Sequence, residues 1–396
     1  MNPYLKNLQL YPFQRLTQLK AGVKAAATSE HVALSLGEPK HRPPHFVVEL
    51  LADQELLFAD LAVYPATRGE DALRTAIAQW LQRRFAATVD PATQVLPVAG
   101  TREALFSFGQ AILSGSPDTL AMLPNPFYQI YEGAVLLRGA RPFFVDAAPA
   151  TNYRPAYTDI AESVWRRCEL VYLCSPANPT GYTATQEDLL WLIEQAQRFD
   201  FVIAADECYS EIYLHEDHKP IGLLEVAAAA GIDNFRQCVV FHSLSKRSNL
   251  PGLRSGFVAG DAAILERYFQ YRTYEGCALP NHVQKASAAA WLDEEHVVEN
   301  RRLYRQKFAA VTPILNQVIS VTDPQGGFYH WLDVGEDDEA FTLRLYREQN
   351  ITVLPGSYLG RENNGSNPGA NHVRIAWVAP LADCVSAAER LSEWLS

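Results

Sequence analysis

The sequence predicts an α/β protein built on a mostly parallel sheet, with a second and smaller α+β unit, and three observations carry that expectation. Short segments rich in Val, Phe, Tyr and Cys alternate with stretches of helical periodicity, the pattern of strands joined by crossover helices. At 396 residues and 48% hydrophobic side chains the chain can bury a large core, and it is long enough for two domains or one domain with an appendage. Past about residue 280 the texture changes, and helical sequence gives way to separate short apolar runs.

Taken in order, residues 1–45 are expected to form an N-terminal arm and part of the small unit, 46–282 the large domain and 283–396 the C-terminal small domain. Strands are predicted at LAMLP (120–124), RPFFVD (141–146), LVYLCSP (170–176), FVIAADE (201–207), CVVFHS (238–243) and GFVAG (256–260). The helix between two of them, 185–199, begins at Thr185 as cap with Asp188 in its first turn, and Leu189, Leu192, Ile193 and Ala196 form one apolar stripe. One long helical stretch is expected over 283–319, followed by strands in GGFYHWLDV, ITVLPGSYLG and VRIAWVA. The segment 360–371, GRENNGSNPGAN, reads as a mobile surface loop.

Bulk properties exclude several function classes. The formal net charge is −11 and no basic tract occurs, which argues against a nucleic-acid surface. No apolar run reaches membrane-spanning length, and six cysteines without a CxxC pair read as buried free thiols in a reducing, cytoplasmic setting. His41 and His45 flank Pro43 and Pro44, and His215 and His218 sit in a charged loop, so neither pair reads as a metal site. GxGxxG and GxxxxGK[ST] are both missing, which leaves dinucleotide and P-loop sites without support.

The chemistry-bearing residues fall just after the apolar runs, where ligands collect in open α/β sheets. Asn178 and Gly181 stand in SPANPTG, Asp206 and Tyr209 in AADECYSEIY, and Ser243, Ser245, Lys246 and Arg254 in SLSKRSNLPGLRSGF. Gly100, Thr101 and Arg102 open a helix whose free N–H groups attract an anion. The string SLSK also fits the serine acyl-transferase pattern S-x-x-K, but the S-D-N and K-T-G partners of that pattern are missing. A lysine, an aspartate, hydroxyls and an arginine in one crevice suit pyridoxal 5′-phosphate. Lys246 would carry the cofactor aldehyde and then shuttle the proton, and Asp206 would face the ring nitrogen. Ser243, Ser245, Arg254 and the helix start at Thr101 and Arg102 would hold the phosphate.

These motifs resemble, over about residues 34–379, the class I and II aminotransferases of the fold-type I pyridoxal-phosphate enzymes, whose aspartate aminotransferase-like fold has a large domain with a mostly parallel sheet between helices and a smaller α+β domain. The resemblance implies that Asn178 and Tyr209 contact the cofactor's phenolic oxygen. It also implies that Tyr128 of PNPFYQIY stacks on the ring, and that Tyr64 of VYPATRGEDALR reaches the phosphate of a neighbouring subunit in a homodimer with shared sites. Arg374 of NHVRIAWV would grip the substrate α-carboxylate, with Asn178 bordering it and Gly37 of SLGEP closing over it. Ser255, after Arg254, departs from an apolar family position.

SLGEPKH and RSNLPGLRSGF are similar, more narrowly, to bacterial N-succinyldiaminopimelate aminotransferases. That likeness implies glutamate as donor and a succinylated 2-amino-6-oxopimelate as acceptor, in lysine and cell-wall precursor synthesis, by a ping-pong reaction through pyridoxamine phosphate. Lys40, Arg42 and Arg68 are candidates for further substrate carboxylates, against a reading as solvated surface. The rival functions are another aminotransferase (aspartate, alanine or aromatic), a C–S β-lyase on the same fold, and a regulator that only binds the cofactor.

Overall fold

Alternation of side chains along the central strands assigns each residue to one of two cores. The computed structural model describes residues 1–26 and 29–396. Its strands are β1 (Val32–Ala33), β2 (Val95–Val98), β3 (Leu120–Asn125), β4 (Arg141–Asp146), β5 (Cys168–Cys174), β6 (Val202–Asp206), β7 (Cys238–Ser243), β8 (Gly256–Gly260), β9 (Tyr329–Asp333), β10 (Ile351–Thr352), β11 (Leu354–Pro355) and β12 (His372–Ala376). Seven of them form one sheet in the order β2-β8-β7-β6-β5-β3-β4. Its pairings are parallel except at β8, which runs antiparallel to both β2 and β7.

Met122, Val171, Leu173, Ile203, Ala205 and Val240 point to one face, where the helices Asp71–Phe85, Gln186–Phe199, Leu223–Ala229 and Asn281–Leu292 cover them. Their neighbours Ala121, Leu123, Leu170, Tyr172, Ala204, Val239 and Phe241 point to the other, beneath Thr101–Ile112, Ile130–Arg138 and Ala262–Glu275. A period of two along each strand therefore fills both sides of a sheet sandwiched by helices. At Thr185 the expected cap is present. Its hydroxyl accepts from Asp188 N (3.2 Å), and Asp188 Oδ2 accepts from Thr185 N (2.9 Å).

A second unit packs β11-β12-β9, antiparallel, with the parallel pair β1–β10 against helices Glu295–Leu315, Asp338–Gln349 and Leu381–Leu395. Residues 32–34 enter this unit early: Leu34 N donates to Thr352 O (2.8 Å) and Leu34 O accepts from Ala376 N (2.7 Å). The helical stretch expected over 283–319 is two helices. Asp293 is extended (φ −87°, ψ 133°) and its carboxylate accepts the His296 N–H (3.1 Å), which starts the second helix afresh. The segment expected to be a mobile surface loop exposes Glu362, Asn364, Gly365, Ser366 and Asn371 but is anchored where it begins. Arg361 within it is 9% exposed and makes a two-pronged pair with Glu132 (2.8 and 2.6 Å). Among the described residues no helix is long and apolar enough to cross a membrane.

Candidate active site

The carboxyl ends of β5, β6 and β7, the start of helix Thr101–Ile112, β12 and the N-terminal segment surround one crevice of about 450 Å³. Asp206, the last residue of β6, is 5% exposed. Its carboxylate accepts from Tyr131 Oη (2.7 Å) and Cys208 N (3.3 Å). Burial raises its pKa, and the hydrogen bonds from Tyr131 and Cys208 oppose that rise.

β7 ends at Ser243, whose side chain accepts Ser245 N (3.1 Å) and opens the single turn Leu244–Arg247 that carries Lys246. The Lys246 ammonium donates to the carbonyl of Gly37. Burial, above all, lowers its pKa from 10.5 to about 8, with Arg374 and Arg254 adding to the effect and Cys208 and Glu38 opposing it. After the turn Pro251–Leu253 the chain takes a left-handed conformation at Arg254 (φ 53°), which returns its guanidinium to the crevice. There it lies against Gly100 (φ 87°), where a Cβ would come within 2.1 Å of Arg254 Nη2, so only glycine fits. Ser255, the departure noted in the sequence, is fully buried. Its hydroxyl accepts from Ser287 Oγ (2.7 Å), so the polar side chain has a partner.

Arg374, on β12 and 4% exposed, donates through Nη1 to Asn178 Oδ1 (2.8 Å) and through Nη2 to Ser35 O (2.7 Å). Its buried Nε has no partner. Gly37 sits so close to Tyr329 that a Cβ would fall 2.1 Å from the phenol oxygen, and that oxygen is 2.8 Å from Tyr209 Oη. Thr101 Oγ1 lies 3.1 Å from Cys208 Sγ, and Tyr128 forms part of the wall.

The crevice thus brings together Gly37, Thr101, Arg102, Tyr128, Asn178, Asp206, Tyr209, Ser243, Ser245, Lys246, Arg254 and Arg374. Tyr64 is elsewhere, 98% exposed on the surface. The three cations suggested for distal carboxylates do not line the crevice: Lys40 pairs with Glu38, Arg68 pairs with Glu266 (2.5 Å), and Arg42 is exposed. Sequence reasoning missed Tyr11, Phe13, Glu38, Cys208 and Tyr329 in the wall, and Tyr131 behind Asp206. GGFYHWLDV reads only as a strand, and nothing in its spacing points Tyr329 inward.

The donor set suits a phosphorylated, carbonyl-bearing aromatic cofactor. Helix Thr101–Ile112 begins at a glycine with no side-chain cap, so its first N–H groups are free for an anion. Ser243, Ser245 and Thr101 add hydroxyls, and Arg254 adds a charge that no carboxylate among the described residues neutralises. Arg374, whose guanidinium no carboxylate among the described residues neutralises, adds a second charge to the crevice. A lysine whose amine is free above about pH 8 and a buried carboxylate complete the requirements.

Comparison with known proteins places this arrangement. The family model described as aminotransferase class I and II matches residues 29–391. A crystal structure of an aminotransferase from Neisseria meningitidis Z2491 is 46% identical, with full coverage of both chains and a TM-score of 0.95. The LL-diaminopimelate aminotransferase of Nitratidesulfovibrio vulgaris (strain DP4) is 30% identical over 393 residues, 98% of this chain and 97% of its own. A structure from Thermus thermophilus described as a probable N-succinyldiaminopimelate aminotransferase is 25% identical, with a TM-score of 0.83 and coverage of 96% and 99%.

Proposed function

Since the chain belongs to the class I and II aminotransferases, enzymes that depend on pyridoxal 5′-phosphate, we propose that it moves an amino group between dicarboxylic substrates with Lys246 as cofactor anchor and proton carrier. When bound, the cofactor supplies a carbonyl that exchanges with an amine and an electron sink for the pair left at the substrate Cα. Asp206 would keep the ring nitrogen protonated. Ser243, Ser245, Arg254, Thr101 and the Arg102 main chain would hold the phosphate, Asn178 and Tyr209 would serve the phenolic oxygen, and Tyr128 would cover the ring.

Arg374 would receive the substrate α-carboxylate through the second N–H of Nη1 and of Nη2, with Gly37 and Asn178 beside it. Lys246 would anchor the cofactor through Nζ and, as a free amine, would carry the proton taken from the substrate Cα. Its low pKa keeps part of the amine neutral near pH 8, as a base must be.

The observation that carries the substrate class is Arg102. Its guanidinium lines the crevice 5.2 Å from the ring of Tyr11, and no carboxylate among the described residues pairs with it. A second substrate carboxylate would neutralise it. This supports N-succinyl-L,L-2,6-diaminopimelate with 2-oxoglutarate, the reading suggested by SLGEPKH and by the Thermus neighbour. A second reading, LL-diaminopimelate itself, is supported by the 30% identical relative.

The test loads the enzyme with cofactor, converts it with glutamate and asks which acceptor, the succinylated 6-oxopimelate or the free cyclised one, restores the visible absorbance. Arg102→Met should cost about two- to fivefold in kcat/KM for dicarboxylic acceptors and little for pyruvate, the worth of an ion pair of about 0.2–1 kcal/mol at an exposed arginine. Equal losses for both would refute the role of Arg102.

The wall of helices His45–Ala52 and Gln54–Leu61 and the residues after them expose Val48, Phe58, Leu61, Val63 and Tyr64 together, an apolar patch that supports a homodimer in which Tyr64 enters the neighbouring site.

A further inference from the structure

Asn300, on helix Glu295–Leu315, is 3% exposed and does not line the crevice, yet it holds the catalytic segment from behind. Its Nδ2 donates to the main-chain carbonyls of Lys246 (3.0 Å) and Arg247 (3.2 Å). The other end of the amide must then be the oxygen, and there Asn249 Nδ2 (2.8 Å) and His41 Nδ1 (2.9 Å) converge. An amide oxygen only accepts, so His41 is fixed as the Nδ1–H tautomer, with its Nε2 buried and unpartnered.

The partners come from two distant pieces of sequence. Asn249 belongs to SLSKRSNLPGLRSGF and His41 to SLGEPKH. The rest of the first piece docks on the same corner. Arg247 donates to Ala290 O (2.7 Å), Asp293 O (3.0 Å) and Glu294 Oε1 (2.8 Å), and Ser248 Oγ lies 2.8 Å from His296 Nε2. In the second piece His41 follows Gly37, whose carbonyl receives the Lys246 ammonium, and Ser35, whose carbonyl receives Arg374. A single side chain therefore joins the main chain of Lys246 to the segment that meets both its amine and the carboxylate-binding arginine.

We propose that Asn300 is a positioning residue for Lys246, setting the lysine and the Gly37–His41 segment against each other through hydrogen bonds that no other side chain at the junction makes. The inference rests on the role proposed for Lys246 and deepens it. Donors and acceptors match at every contact, and an error of about 1 Å in placing a reacting group is enough to cost up to about a hundredfold in rate.

The experiment uses the cofactor-loaded enzyme and its fastest amino donor. Asn300→Ala should lower the single-turnover rate about tenfold, leave KM for that donor within about threefold, and change the induced circular dichroism of the visible band. His41→Asn can place an amide N–H where Nδ1–H stood and should behave as wild type. His41→Gln places its amide one bond further out and should follow Asn300→Ala. The two His41 variants decide the matter if Asn300→Ala does not fold, because His41 is only partly buried. Wild-type rates and dichroism in Asn300→Ala and His41→Gln, or identical behaviour of the two His41 variants, would overturn the proposal. Failure of the parent reading shows separately: Lys246→Ala would then retain the visible band whatever the other variants do.

Discussion

Replacing Arg374 by lysine keeps the charge and removes the fork, which isolates what the geometry of that side chain contributes. In the wild type one N–H of Nη1 is committed to Asn178 Oδ1 (2.8 Å) and one of Nη2 to Ser35 O (2.7 Å), and the second N–H of each is left for the substrate. A single ammonium cannot span two buried acceptors and an incoming carboxylate. At least one acceptor loses its partner, costing about 1–3 kcal/mol, and the substrate loses one charge-assisted hydrogen bond, worth about 1.5–3 kcal/mol. Only the second of these enters kcat/KM, as about 10–10² at roughly 1.4 kcal/mol per decade, because the orphaned acceptor is present in the free enzyme too and falls on folding stability instead. The loss should fall mainly on KM for the amino substrate, measured by steady-state kinetics over a range of donor concentrations. Cofactor affinity, titrated by absorbance, should stay within about threefold, because of the residues assigned to the cofactor only Asn178 is hydrogen-bonded to Arg374. A variant that keeps kcat/KM within about fivefold, or that loses cofactor as severely as substrate, would refute this account of the clamp.

Tyr131→Phe removes the 2.7 Å hydrogen bond to Asp206, lets the buried carboxyl rise further in pKa and should weaken cofactor binding by roughly tenfold or more, from about 1.5–3 kcal/mol. An unchanged dissociation constant in a titration of the apoprotein would count against it. The rate at which apoprotein captures the cofactor should climb with pH up to about 8 and then level off, because Lys246 is protonated below that value and free above it. Stopped-flow traces still rising towards 10.5 would show an unperturbed lysine. Phe58→Asp, in the exposed apolar patch, should shift sedimentation towards monomer, and an unaltered mass would place any self-association elsewhere.

Much of the site was legible because its chemistry follows the strand ends. Asp206, Lys246 and Asn178 each come directly after an apolar run, and the order of those runs carried the reading. The strands over 141–146, 238–243 and 256–260 lie where the apolar runs predict them. What stayed hidden was relational. Tyr131 looks like any apolar-face aromatic of a helix until the fold joins it to Asp206, 75 positions away in sequence. Asn300 sits mid-helix among charges, and only its contacts with residues 41 and 249 distinguish it. The break at Asp293 is hidden because the sequence on both sides is helical and the carboxylate cap is one residue. Arg361 reads as loop because Gly, Asn and Pro surround it, and its partner Glu132 lies 229 positions away.

The pairing of β1 with β10 has a consequence for synthesis. Val32 finds its strand partner Ile351 only after 319 further residues (32 to 351) have been added. At about 5–20 residues per second that is roughly 15–65 s, long enough for the large sheet to form first. Throughout that interval the apolar strand beginning at Val32, and the Ser35 carbonyl that Arg374 will claim, wait unpartnered at the nascent chain's leading end. The Arg374 side of the crevice is thus the last part to be assembled, and a chain stopped before residue 351 would have the large sheet without the strand that brings Arg374 to Asn178.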